Sequence, residues 1–168
     1  NIVGFKELSF VNPLQPKKDL STWEVWLDEP QWVGPPRAEI DQAWKDLLSV
    51  TTFNRSSAAS KYADGNAYQY SDGKYIMGFE VYHGLHCVDT LRKFLWPDHY
   101  KQTDPEDQLE LHKQHCVDYL RQYVQCNADL SPMWAHWNDV YGLVVTPYTP
   151  HTCRDFDALH RWIVDGDE

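Results

Sequence analysis

Four histidines in two evenly spaced pairs are the residues of this chain best suited to chemistry. His83-Gly84-Leu85-His86-Cys87 and His112-Lys113-Gln114-His115-Cys116 are copies of one pattern, HxxHC. The likeness continues through Val88, Asp89, Leu91 and Arg92 against Val117, Asp118, Leu120 and Arg121, every element displaced by 29 residues. Positions three apart share one face of a helix, so each copy can aim two imidazoles at a common point. All-nitrogen ligation suits Cu, Zn or Fe and excludes Mg and Ca. The spacing is neither that of a zinc finger, whose cysteines are ligands, nor the HExxH of zinc proteases. A histidine-only cluster in an oxidising compartment favours one or two copper ions, and redox chemistry over hydrolysis.

Other residues are candidates for supporting roles. His151, in His151-Thr152-Cys153, is the expected fifth ligand, and His136, in Trp134-Ala135-His136-Trp137, a further candidate. Asp89 and Asp118 follow the inner histidines by three residues and can take the second imidazole proton. Equally, they can pair with Arg92 and Arg121 at i+3, a contact of about 0.2–0.5 kcal/mol. Tyr82, beside His83, is either a relay for electrons and protons or a packing residue. Cys87, Cys116, Cys126 and Cys153 allow three full pairings. Bridges Cys87–Cys116 and Cys126–Cys153 are favoured over thiolate ligation, because the cysteine count is even and Asn54-Arg55-Ser56 is a glycosylation acceptor pattern in a Ser-rich stretch.

These residues need elements to place them. Ile40, Ala43, Trp44, Leu47 and Leu48 predict an amphipathic helix over residues 37–49. Tyrosine-rich runs at 68–70 and 75–82 flank the turn signal Asp72-Gly73 and predict a small β-hairpin. Leu85, Val88, Leu91 and Leu95 stripe a helix that should stop at Trp96-Pro97. The next begins at Asp104 as N-cap with Pro105 in the first helical position, and runs to about Cys126. The short connection favours an antiparallel helical hairpin. With level ends, His86 faces His115, and His83 and His112 lie one turn to either side. An edge strand is expected at residues 23–27, irregular chain beyond Asp129, and a last helix over 155–164. The fold class is therefore mainly α, organised round the hairpin, with long irregular segments and a small β-hairpin. Residues 1–35 read as an irregular segment packing on a single metal-binding domain, 36–168.

Composition narrows the partners. A formal charge of −10 and pI near 5.1 exclude nucleic acid and anionic membrane surfaces, and favour cations. Aromatic residues make up 14%, enough either to wall a dry ligand cavity or to fill a core. No run reaches the ~20 apolar residues of a membrane span, and no signal peptide is read.

The twin HxxHC motifs resemble those of the fungal UstYa-like oxidase family. Leu91-Arg92-Lys93, Tyr119-Leu120-Arg121-Gln122, Cys126-Asn127-Ala128-Asp129 and the tail His151-Thr152-Cys153-Arg154-Asp155 with Trp162 match it too, as does Pro36-Arg37 to Leu48. The resemblance implies a copper-dependent oxidative tailoring enzyme of secondary-metabolite or cyclic-peptide (RiPP) biosynthesis, taking a small-molecule or peptide substrate with dioxygen as oxidant. It implies a lumenal domain of the secretory pathway, whose members carry an N-terminal membrane anchor that this sequence lacks. Family activities span oxidative ring closure, desaturation, hydroxylation and halogenation. Oxidative cyclisation or desaturation is the first expectation. A copper halogenase or hydroxylase, or a non-redox metal-binding accessory protein, are the alternatives. Pairing into a homo- or heterodimer is compatible with the sequence.

Overall fold

The computed structural model describes residues 4–10, 14–16, 23–25, 32–50, 53–55, 68–139, 142–146 and 149–165. In chain order the elements are β1 (Phe5–Ser9), β2 (Leu14–Pro16), β3 (Trp23–Val25), α1 (Ala38–Leu47), β4 (Phe53–Arg55), β5 (Tyr75–Met77), α2 (Glu80–Phe94), α3 (Glu106–Asn127), β6 (Trp134–Asn138), β7 (Gly142–Thr146), β8 (Pro150–Arg154) and α4 (Phe156–Asp165). The mainly α expectation holds, since the two longest elements are helices of 15 and 22 residues and no described strand exceeds five. The chain divides into two compact units, Pro35–Cys126, and Asn1–Gly34 with Asn127–Glu168. Residues beyond 126 group with the N-terminal segment.

The helical unit forms where apolar spacing requires it. In α1, Ile40 and Trp44 stand four apart and are buried, Glu39 and Asp41 lie in the first turn and Lys45 in the last. That order of charge suits the helix dipole. Helix α2 buries Tyr82, Gly84, Cys87, Asp89 and Arg92, whereas α3 buries only Cys116. The helices meet in opposite senses. A Cβ on Gly84 would lie 3.8–3.9 Å from the rings of Tyr119 and Tyr123, His86 opposes His112, and Lys113 sits over the Phe94 ring. Their connection does not run level. Tyr100 N–H bonds the Trp96 carbonyl, and the Tyr100 hydroxyl reaches back to Asp41 and Arg92, so the loop folds along α2.

The expected hairpin at Asp72-Gly73 keeps its turn and loses its ladder. Gly73 takes φ +83°, a conformation glycine adopts without strain, and its N–H bonds the Tyr70 carbonyl. Pairing across the turn is a single Gln69–Tyr75 bridge, and β5 instead pairs antiparallel with β4. The second tyrosine run stops early because α2 starts at Glu80 and takes Tyr82 into its buried face. Asn54, expected in a loop, lies in strand β4, while residues 56–65 fall outside those described.

In the other unit, β1 pairs antiparallel with β8, β2 with β3, and β6 with β7. Segments expected to be irregular therefore hold strands at both ends of the chain. Trp23–Val25 fulfils the expected edge strand in shorter form. Helix α4 starts as its sequence suggests, for Asp155 Oδ1 accepts the Ala158 N–H as an N-cap.

Candidate metal centre

Helices α2 and α3 bring the four motif histidines together in two layers. His83 Nε2 stands 3.3 Å from His115 Nε2, with ring centroids 5.4 Å apart. The His86 and His112 rings are 5.9 Å apart, and those of His112 and His115 are 6.5 Å apart. The level-ended register, with His86 against His115, is therefore off by one helical turn. The folded-back loop after Phe94 takes up the slack that sets the offset. The Cys87 Sγ joins His83 and His115 in a group whose candidate ligand atoms all lie within 4.8 Å of one another.

The surroundings of His86 favour its ligand form. Burial first, then the charges that His112 and His83 can carry, hold His86 below the usual imidazole value, so its lone pair stays unprotonated at neutral pH. The centre is open: the His83 side chain is 43% exposed, and His86 and His115 are exposed as well. A closed aromatic cavity round these histidines is not what the described residues of this unit build.

The expected carboxylate partners act elsewhere. Asp89 is buried and accepts bonds from Arg92 Nε at 2.9 Å and Lys93 Nζ at 2.6 Å. Arg92 continues to Asp41 and Tyr100 and lies over the Trp44 ring. Asp118 pairs with Arg121 and Gln122 on the exposed side of α3. The ion-pair alternative of the sequence reading is therefore the one realised. Tyr82 is fully buried, and burial pushes its phenol up, which fits the packing role.

Two residues at the centre escaped the sequence reading. Glu80 Oε2 approaches His83 Nδ1 at 3.9 Å and accepts a short hydrogen bond from the Tyr119 hydroxyl. The Tyr119 ring tilts over His83 with centroids 4.1 Å apart. Burial first, then the Glu80 carboxylate, raise its phenol well above the ordinary value. Helical spacing could have found both, as Glu80 precedes His83 by three and Tyr119 follows His115 by four.

All four cysteines are thiols in this structure, so neither expected bridge is formed. Cys87 and Cys116 are fully buried and hydrogen-bonded to each other, and burial pushes the Cys87 thiol up to about 12. Cys126 lies exposed at the end of α3 and Cys153 on β8, each in a different unit.

In the strand-bearing unit, His151 is buried on β8. Its Nδ1 lies 2.6 Å from Asp129 Oδ2, and its ring stacks on Phe10 at 3.8 Å. Asp129 is pulled down to about 2, first by the Ser131 backbone N–H, then by the Ser131 hydroxyl and His151. His136 occupies β6 opposite Val144; its side chain, like that of Asn54, is outside the described residues.

A helical pair presenting four imidazoles could hold a metal ion, and comparison with known proteins gives the chain a family. The family described as "UstYa: Mycotoxin biosynthesis protein UstYa" matches residues 15–165, and the chain belongs to it. The chain is 34% identical over 139 residues to "UstYa family oxidase phomYd" of Diaporthe leptostromiformis, covering 80% of this chain and 46% of that protein. It is 26% identical over 178 residues to "UstYa family oxidase phomYc'" of the same fungus, covering 98% of this chain and 65% of the relative. "Transacylase cctO" of Talaromyces islandicus is 24% identical over 161 residues, 83% of this chain and 53% of its own length. The chain thus spans between about half and two thirds of these curated relatives. No solved structure matches it. Among the described residues no helix is long and apolar enough to cross a membrane.

Proposed function

We propose that this chain is a copper-dependent oxidative tailoring enzyme of secondary-metabolite or cyclic-peptide biosynthesis, working in the secretory lumen on a small-molecule or peptide substrate. Relatives named UstYa family oxidase support the oxidative class. The observation that carries the metal is the 3.3 Å between His83 and His115 Nε2. Two nitrogens held about 2.0 Å from one ion at a tetrahedral angle stand about 3.3 Å apart. The donor set therefore fits a bound ion without rearrangement of that pair.

His83 and His115 would hold the ion, with His86 and His112 completing its set or holding a second. Copper with dioxygen would supply one-electron oxidation of the substrate, leading to ring closure or desaturation. The chain's own residues hold the His86 imidazole below its usual value, fix the histidines' separation through the helical pair, and leave the centre open for a substrate to approach. The buried Arg92 cluster anchors α2 to α1 from the face carrying Asp89, away from the exposed histidines.

A second reading rests on Cys87. A thiolate in the set with His83 and His115 suits zinc as well as copper and leads to a non-redox or accessory role. Metal content with copper EPR on the purified domain separates the readings, run beside His86→Ala, His115→Ala and Cys87→Ser. Copper that is retained in Cys87→Ser and lost from both histidine variants supports the histidine centre. Copper lost only from Cys87→Ser, or reconstitution with zinc alone, overturns it.

A further inference from the structure

The sequence offers Tyr82 as an electron relay, yet Tyr82 is buried in the core face of α2. The only tyrosine ring packed on a motif histidine among the described residues is Tyr119. Its centroid is 4.1 Å from His83 and 6.0 Å from His115, so it touches both rings of the closest ligand pair. Its hydroxyl donates to Glu80, both to the carboxylate, whose Oε2 lies 3.9 Å from His83 Nδ1, and to the backbone carbonyl at 3.1 Å. Tyr123 stacks on its far side at 6.3 Å. A phenol is hard to oxidise while it keeps its proton, because a phenol radical cation is a strong acid. A carboxylate already hydrogen-bonded to the hydroxyl removes that obstacle, since proton and electron can leave together in different directions.

We infer that Tyr119 is the redox-active side chain of this centre and Glu80 its proton acceptor. The inference rests on the copper reading above for its oxidant. In the step, the Tyr119 O–H bond breaks and the proton moves to Glu80 Oε2, while one electron would leave across the His83 ring to the one-electron oxidant that copper held by His83 and His115 would supply. The products are a neutral tyrosyl radical and a protonated Glu80. In the return step an oxidisable substrate gives one electron to the radical, Glu80 returns the proton, and Tyr119–OH is restored with the substrate oxidised by one electron. Tyr119 thereby stores an oxidising equivalent beside the metal. Glu80, three residues before His83 on the same helix, keeps acceptor and ligand in fixed register.

The test uses metal-free protein first, so that it does not depend on copper binding. A photo-generated ruthenium(III) oxidant is flashed with the parent, Tyr119→Phe and Glu80→Gln, and tyrosyl radical is followed by transient absorption and freeze-quench EPR. The parent should form a radical quickly with a solvent deuterium isotope effect. Tyr119→Phe should lose most of that fast phase, and Glu80→Gln should slow it. Equal fast-phase yield in the parent and Tyr119→Phe overturns the inference, as does a rate indifferent to Glu80→Gln. Copper EPR of the loaded variants then checks the ligand set. An unchanged signal in Tyr119→Phe with reduced turnover is the expected result, and a lost signal would assign Tyr119 to holding the metal site instead. Failure of the parent to bind copper would remove the cellular oxidant while leaving the metal-free radical result standing, so the two readings fail separately.

Discussion

Arg92 and Arg121 occupy the same position in the two motif copies, and the structure predicts different consequences for losing them. Arg92 is 8% exposed and donates to Asp89, Asp41 and Tyr100, each at 2.9 Å. The Asp89 side chain is 7% exposed, so Arg92→Met leaves a buried carboxylate with Lys93 as its remaining cation. Breaking a buried pair by removing one partner costs about 3–5 kcal/mol. Two features place this case at the low end. Lys93 still compensates Asp89, and Asp41, at 37% exposed, can rehydrate. The expected loss is about 3 kcal/mol. Arg121 binds Asp118 with the same i+3 geometry, but their side chains are 53% and 59% exposed. Arg121→Met should therefore cost about 0.5 kcal/mol or less. Urea unfolding of both variants, with unchanged m-values, measures the difference. Equal losses, or a loss below about 1 kcal/mol for Arg92→Met, would refute the claim that burial separates the two copies.

Two further outcomes follow from the titrating groups. Asp129 is depressed to about 2 when folded against an ordinary 3.8, so its contribution is present above pH 3.8 and is lost as pH falls towards 2. Urea midpoints taken from pH 5 to pH 2 should fall less steeply in Asp129→Asn than in the parent; parallel slopes would show that the His151 and Ser131 bonds contribute nothing. The Cys87 thiol, raised from 9.0 to about 12, holds roughly a thousandth of the usual thiolate fraction at neutral pH. Native-state alkylation should mark exposed Cys126 and spare Cys87 and Cys116 until the chain unfolds. Prompt labelling of all the cysteines in intact protein, read by mass spectrometry, would contradict the buried placement.

Local spacing carried most of what could be read in advance. Helices α1, α2, α3 and α4 each lie within a few residues of their expected spans, since apolar stripes at i, i+3 and i+4 and an Asp-Pro helix start are properties of short windows. Non-local pairing was opaque. Nothing in Phe5–Ser9 announces that its partner is Pro150–Arg154, and no local rule assigns β5 to β4 rather than to the run before Asp72. The histidine set was legible by residue type, but its register was not. The ends of α2 and α3 are joined by a loop whose path depends on Tyr100 reaching Asp41, a contact across 59 residues.

The repeat itself explains why a motif can bring histidines together and mispredict their surroundings. Within each copy, the spacing of the histidines places them on the shared face, so both copies deliver imidazoles to one centre. Asp89 and Asp118 occur at equivalent positions, yet only α2 is covered by α1, and only Asp89 is sealed beneath Arg92. Asp89 takes its hydrogen bonds from Arg92 and Lys93, and Asp118 from Arg121 and Gln122. The contacts to His83 come instead from Glu80, which precedes the first copy, and from Tyr119, at the position of the second copy where the first has Thr90. Identity between the copies reports what they do jointly, and the residues that differ between them report what each helix is packed against.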